Sequence, residues 1–345
     1  MQIIKSLLLN AAVVAMSAVV VAQSDSSSFF YNRGVEEKNA RRFREAEKHF
    51  AKAYEIEPQN LDNLLQLAGT LLEQRRYVEA KEKYHKAEAI DPNNAAVIEN
   101  LATLSFNTRK WEDAIRYSQK MKQAKIGTGA NFLIARSFYE MENYGESIKY
   151  CEYSFKDEPT NAMIPYIAGR CFMEMSNYKR SAGCYEQALA LDSSNATWMY
   201  EAGLMYSAIP NDKKALYWIE RAGAKGLPKT NDYLENLATA YINTGNFEKG
   251  INILIETLKR RPQDGELLFS IADSYYKVKK YDEAINYWDK ALEVDKKNAS
   301  ALYMIGMSYQ KKGETAKGRE LCDKAIAIDP SLAKLKEERK LPGGL

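Results

Sequence analysis

A repeat of 34 residues organises the sequence, and it is clearest between residues 265 and 298. The first half of this segment carries apolar or small residues at the spacing of one helix face, including Leu268, Ile271 and Ala272. After the polar pair at 279–280, a second helical stripe begins at Tyr281 and includes Ala284. Two helices pack closely only where the side chains between them are small. The segment therefore predicts a helix–turn–helix hairpin that is held together at its small residues.

The same template fits the rest of the chain as nine units. The eighth residue of the units is small throughout: Gly34, Ala68, Ala102, Ala135, Gly169, Gly203, Ala238, Ala272 and Gly306. The twentieth residue is also small throughout: Ala46, Ala80, Ala114, Ser147, Ser181, Ala215, Gly250, Ala284 and Gly318. The units are 27–60, 61–94, 95–127, 128–161, 162–195, 196–230, 231–264, 265–298 and 299–332. Such regularity predicts a tandem array in which each hairpin stacks on its neighbours.

This pattern resembles the tetratricopeptide repeat, a helix–turn–helix unit of the same length with small residues at these positions. The resemblance covers residues 27–332 and implies an all-α fold, a right-handed solenoid or superhelix of nine repeats. Residues 331–345 are predicted to form a C-terminal capping helix and tail, in which Leu332 and Leu335 cover the open face of the ninth repeat. The resemblance is specific for fold but not for function, because repeat scaffolds serve many partners.

The first 22 residues have the pattern of a secretory signal peptide. Lys5 precedes an apolar run at 7–21, which is shorter than the roughly 20 residues that span a bilayer. A run of small residues ends at Ala22, and we expect cleavage after this residue. The cysteine that would mark a lipoprotein is absent from this position. We therefore predict a signal peptide at 1–22, a polar spacer at 23–26 and an exported protein, periplasmic or secreted. The alternative is a retained membrane anchor.

The composition gives little support for a catalytic function or for nucleic-acid binding. The formal net charge of +3 gives no electrostatic reason to expect nucleic acid or an anionic membrane as a partner. The two histidines, His49 and His85, stand beside lysines and are interpreted as surface residues. No glycine-rich phosphate loop is present, and the cysteine spacing fits no zinc motif. We therefore expect no enzymatic activity, no cofactor and no metal.

The cysteines leave two states open. Export would permit a disulfide, in which Cys171 could pair with Cys151 or with Cys184. The alternative is that all remain buried thiols. Asn195 and Asn298 each begin a triplet that matches a glycosylation acceptor, but each also ends a repeat, where a helix cap favours asparagine.

The resemblance also implies a groove lined by the first helix of each repeat. The residues predicted to point into it and bind a partner are Phe132, Arg136, Tyr139, Tyr166, Arg170, Tyr200, Phe269, Tyr276 and Tyr303. Aromatic side chains give large contact areas, and arginine can hold a carboxylate by two hydrogen bonds. We interpret the chain as a non-catalytic scaffold of the cell envelope that binds an extended peptide or a partner protein. One alternative is a glycan-binding envelope protein, and another is that the aromatic residues only pack against neighbouring helices.

Overall fold

The computed structural model describes residues 26–334, which contain helices and no β-strand. The predicted signal peptide at 1–22, most of the predicted polar spacer and Leu335 lie outside the described residues. The helices are α1 (26–39), α2 (Phe43–Ile56), α3 (Leu61–Glu73), α4 (Tyr77–Ile90), α5 (Ala95–Asn107), α6 (Trp111–Ala124), α7 (Ala130–Glu140), α8 (Tyr144–Asp157), α9 (Met163–Glu174), α10 (Tyr178–Leu191), α11 (Ala196–Ala208), α12 (Asp212–Ala224), α13 (Asn231–Asn243), α14 (Phe247–Arg260), α15 (Gly265–Lys277), α16 (Tyr281–Val294), α17 (Ala299–Lys311) and α18 (Thr315–Ile328). A short 3₁₀ helix, Pro330–Leu332, follows α18.

The chain divides into two compact units, with the boundary between residues 175 and 176. Helices α1–α9 belong to the first unit, and α10–α18 with the 3₁₀ helix belong to the second. Inside each unit, odd-numbered and even-numbered helices alternate as the first and second helices of successive hairpins.

The small residues explain how closely the paired helices approach. Every eighth and twentieth position of the nine repeats is buried. A Cβ added at Gly203 would lie 2.6 Å from Ile219 Cγ1, and one at Gly306 would lie 2.7 Å from the carbonyl oxygen of Gly318. The helices of these two hairpins therefore meet almost backbone to backbone, as the repeat pattern predicts.

Large side chains fill the space around these contacts. In the first unit, one buried cluster runs from Ala46 on α2 to Ala130 on α7 and includes Tyr84 and Tyr117. In the second unit, Trp288 is fully buried among residues of α15, α16 and α17. Apolar burial of this extent is the main stabilising contribution to such a fold.

The ends of the helices are capped by side chains. The first helices α3, α5, α11 and α17 begin after asparagines whose side-chain oxygens accept backbone N–H groups of the first turn: Asn60, Asn94, Asn195 and Asn298. Both asparagines of the glycosylation triplets are among these caps. Their side chains therefore already have a structural role.

All four cysteines are in the described range, and none is part of a disulfide. Cys151, Cys171 and Cys322 are buried, and the Cys171 thiol donates to Ser147 Oγ at 3.2 Å. Burial raises the pKa of the Cys171 thiol above its ordinary value. None of the helices between residues 26 and 334 is both long and apolar enough to cross a membrane.

Candidate functional site

The predicted binding residues of the first unit lie on neighbouring first helices. Phe132, Arg136 and Tyr139 are on α7, and Tyr166 and Arg170 are on α9. The structure adds one residue from α5, Phe106. We call this group of six residues the Arg136–Arg170 patch.

Arg136 lies between two aromatic rings. Its guanidinium carbon is 4.2 Å from the ring centroid of Phe106 and 5.8 Å from that of Phe132. Partial burial lowers the pKa of Arg136 below its ordinary value, while the charge of Glu140 acts in the opposite direction. Lowering from so high a starting value leaves the guanidinium charged at neutral pH. Arg136 forms no hydrogen bond or ion pair with another residue of the described chain, so its donors are available to a ligand.

A second arginine repeats this arrangement one repeat further along. The guanidinium carbon of Arg170 is 5.6 Å from the ring centroid of Tyr139, and its Nη1 donates to the hydroxyl of Tyr166 at 3.2 Å. The pKa of Tyr139 is raised by burial, although the nearby charge of Arg170 lowers it in part. The two arginines therefore stack on aromatic rings of α5 and α7, where the rings hold them in place.

The aromatic rings of the patch also contribute to the core. Phe132, Tyr139 and Tyr166 are half-buried and pack against a cluster that includes Ile164 and Cys171. They combine a structural and a surface role, so truncation of these rings would affect stability as well as binding. The arginines are the better probes of the site.

Three of the predicted residues of the second unit are half-buried and lie beside aromatic neighbours. The hydroxyl of Tyr200 accepts a hydrogen bond from Asn236 Nδ2 at 2.8 Å. The rings of Phe269 and Tyr276 lie 5.9 and 5.8 Å from that of Trp288. These contacts hold the rings against the hairpin cores.

The prediction that Tyr303 lines the groove is wrong. Its side chain is only 3% exposed and belongs to a buried cluster with Ala299, Cys322 and Leu332. The 3₁₀ helix places Leu332 in this cluster, and a ring enclosed in this way cannot contact a partner.

Phe106 was not among the predicted binding residues although it provides the nearest ring to Arg136. It is the twelfth residue of its repeat, as Tyr139 is of the next, so the repeat register does place it on the groove side. Phe106 is 8% exposed and packs beside Trp111.

The histidines form no metal site. His85 is exposed, with its Nδ1 3.4 Å from Glu88 Oε2, and His49 is half-buried and stacks on Phe30. Glu88 also accepts hydrogen bonds from Tyr117 at 2.7 Å and Lys120 at 2.8 Å. In the part of the chain that the structure describes, no group of three or more His, Cys, Asp or Glu side chains could hold a metal ion.

Stacked helical hairpins with close contacts at small residues define a solenoid protein of the helical-repeat class. Tetratricopeptide repeat models match residues 39–82, 168–226, 272–313 and 299–332. A model of subunit 3 of the anaphase-promoting complex, or cyclosome, matches residues 210–291. The chain belongs to the tetratricopeptide repeat family. Among curated proteins, no sequence matches it significantly.

Several solved structures are similar to this chain. YrrB, described as a tetratricopeptide repeat protein with an unusual peptide-binding site, is 25% identical, with 55% of this chain and 98% of YrrB covered and a TM-score of 0.45. PilF of Pseudomonas aeruginosa is 17% identical, with 63% and 99% covered and a TM-score of 0.49. The C-terminal part of a repeat protein from Cytophaga hutchinsonii is 18% identical, with 66% and 94% covered and a TM-score of 0.49.

Proposed function

We propose that the protein is a non-catalytic interaction scaffold that binds an extended peptide segment on the Arg136–Arg170 patch. The observation that carries this proposal is Arg136, a half-buried guanidinium that is stacked on Phe106 and forms no hydrogen bond or salt bridge among residues 26–334, although the charge of Glu140 acts on it. The planar face of the Arg136 guanidinium packs against the Phe106 ring, while its N–H groups remain available to a carboxylate. Action in the cell envelope is part of the same proposal and is supported by the pattern at 1–22 alone.

The patch selects for a ligand with both an acidic and an apolar group. Arg136 offers forked donors to a carboxylate, Arg170 adds a second positive charge one repeat further along, and the half-buried rings of Phe132 and Tyr166 offer apolar contact beside them. A free C-terminal carboxylate that follows a large apolar residue, or an acidic side chain next to one, combines these features.

The test is the affinity of the full-length protein for short peptides that end in a large apolar residue, with either a free or an amidated C-terminus. Arg136→Gln and Arg170→Gln remove the charge but keep much of the side-chain length. We expect each substitution to weaken carboxylate-bearing peptides by roughly tenfold, since a charge-assisted hydrogen bond contributes about 1.5–3 kcal/mol. Binding should also become less dependent on salt.

Arg116→Gln is the matched control. Arg116 also stacks on an aromatic ring, at 4.3 Å from the centroid of Tyr117, but it lies on the second helix α6 and is paired with Asp113 at 2.8 Å. This variant should bind like the parent. Cell-wall glycan fragments are titrated in parallel, and arginine-independent binding of glycan without peptide binding would favour the glycan-binding alternative.

A further inference from the structure

The turns inside repeats one, two and three carry arginine where the backbone favours glycine. Arg41, Arg75 and Arg109 have φ angles of +58°, +58° and +57°. In this left-handed region a side chain crowds its own backbone, and glycine avoids the conflict. The equivalent turns of repeats seven and nine use Gly245 and Gly313, and those of repeats four, five and eight carry Glu142, Ser176 and Lys279 at positive φ. Three successive repeats thus carry an arginine at a position where the backbone conformation does not favour this residue type.

These arginines belong to a larger group of exposed cations, which we call the basic edge. It consists of Arg41, Arg44, Arg75, Arg109 and Lys110. Across residues 26–334, none of these five side chains has an ion-pair or hydrogen-bond partner. Their neighbours Arg42 and Arg76 are instead held by Glu37 and Glu47. The fold therefore neutralises some cations of these turns and leaves the others exposed.

Contacts between repeats bring the three turns side by side. Gln74 Nε2 donates to the carbonyl oxygen of Phe43 at 3.4 Å, and Arg76 Nη1 lies 2.6 Å from Glu47 Oε2, so the second turn rests on the start of α2. An ion pair of 3.4 Å joins α4 to α6 in the next repeat. These contacts place successive turns next to each other, so the three arginines form a row along one edge of the first unit.

A cleft of about 500 Å³ opens between the first two turns. Its lining consists of Arg41, Arg42, Phe43, Arg44, Glu45, Glu73 and Gln74. Three arginines face two carboxylates in this lining, Glu73 and Glu45, and Glu45 is already paired with Lys48 at 2.8 Å. The cleft therefore keeps an excess of positive charge next to the aromatic ring of Phe43.

We propose that the basic edge binds an extended, acidic polypeptide segment. Guanidinium groups hold carboxylates through paired hydrogen bonds. An extended chain rises about 3.3 Å per residue, so a segment with an acidic residue at every third position presents a carboxylate about every 10 Å along such a row. The basic edge lies at the turns, whereas the Arg136–Arg170 patch lies along the first helices, so this binding does not depend on the proposed function.

The test replaces the three strained arginines together, as Arg41→Gly, Arg75→Gly and Arg109→Gly. Glycine removes the charge and relieves the left-handed backbone, so the triple variant should unfold at the same or a higher denaturant concentration than the parent. The probe is a labelled peptide of about 12 residues with glutamate at every third position. Its affinity for the full-length protein, measured by fluorescence anisotropy at low salt, should fall by about tenfold or more.

Lys279→Gly is the matched control, because Lys279 is exposed and has a φ of +63° at the equivalent turn of repeat eight. This variant should keep the parental affinity. An unchanged affinity of the triple variant, or an equal loss in the Lys279→Gly variant, would overturn the proposal. Vesicles with anionic lipid and a single-stranded oligonucleotide are tested in parallel. If the vesicles or the oligonucleotide bound in an arginine-dependent manner and the peptide did not bind, the basic edge would be assigned to a phosphate-bearing ligand. This outcome would also refute the proposal.

Discussion

Single glycines determine how closely the helices of a repeat approach each other. At Gly203, a Cβ would lie 2.6 Å from Ile219 Cγ1, 3.2 Å from the Ile219 backbone nitrogen and 3.3 Å from the Ala215 carbonyl oxygen. Two of these three neighbours are backbone atoms, which cannot rotate away. At Gly183, on the surface of α10, nothing lies within 4 Å of the same added atom.

We predict opposite effects of alanine at these two glycines. Gly203→Ala should lower the free energy of unfolding by about 1–3 kcal/mol, because the helices of its hairpin must separate. Gly183→Ala should raise it by up to about 1 kcal/mol, because alanine is the better helix former and meets no neighbour. Chemical denaturation of both variants beside the parent measures the difference. A stabilised Gly203→Ala variant would show that the packing of this hairpin is looser than described.

The sequence could predict which residues are small and buried, but not every residue that is exposed. The repeat register predicts the direction of each Cα–Cβ bond, and Arg136 and Tyr166 are half-buried residues of first helices. It failed for Tyr303 because the 3₁₀ helix at 330–332 places Leu332 in the same buried cluster. That contact belongs to the end of the array, where the template has no following repeat to describe.

At the scale of the element, the repeat determines where each helix begins and ends. The side chain of Asn298 accepts the backbone N–H of Ala301 at 2.9 Å at the start of α17, and Asn195 accepts that of Trp198 at 3.1 Å at the start of α11. Each bond satisfies a donor that the helix itself leaves without a partner.

We predict that Asn298→Ala lowers the free energy of unfolding by about 1 kcal/mol, because the cap of α17 is lost. Asn298→Asp should cost less, since a carboxylate oxygen can accept the same bond and its charge suits a helix N-terminus. The midpoints of thermal unfolding of the two variants compare these effects. Equal losses in both would mean that the amide group itself, and not the cap, is what the structure requires.

Helix type and order follow from the sequence because the information is local and is repeated nine times. The turn conformations are less predictable. The turns of repeats seven and nine carry glycine at the left-handed position, but Arg41, Arg75 and Arg109 adopt the same conformation without it. There the packing of two helices imposes a backbone conformation that the residue type does not favour.

At the scale of the whole molecule, the fold could be predicted from the sequence much further than the site. Helix pairing depends on neighbours in sequence, whereas the Arg136–Arg170 patch combines side chains from α5, α7 and α9. The register predicted that the two arginines share one face of neighbouring first helices. It could not show that Arg136 would stack on Phe106 and keep its donors unpaired, because that depends on side-chain conformations across two repeats.

The most direct test of the central claim is photo-crosslinking from two positions of the first unit in the native host. A photoreactive phenylalanine analogue replaces Phe132 on the first helix α7 in one variant, and the 40% exposed Phe155 on the second helix α8 in the other. We predict an adduct from position 132 that disappears with Arg136→Gln, and none from position 155. An adduct from position 155 alone, or one from position 132 that persists without Arg136, would contradict binding on the Arg136–Arg170 patch.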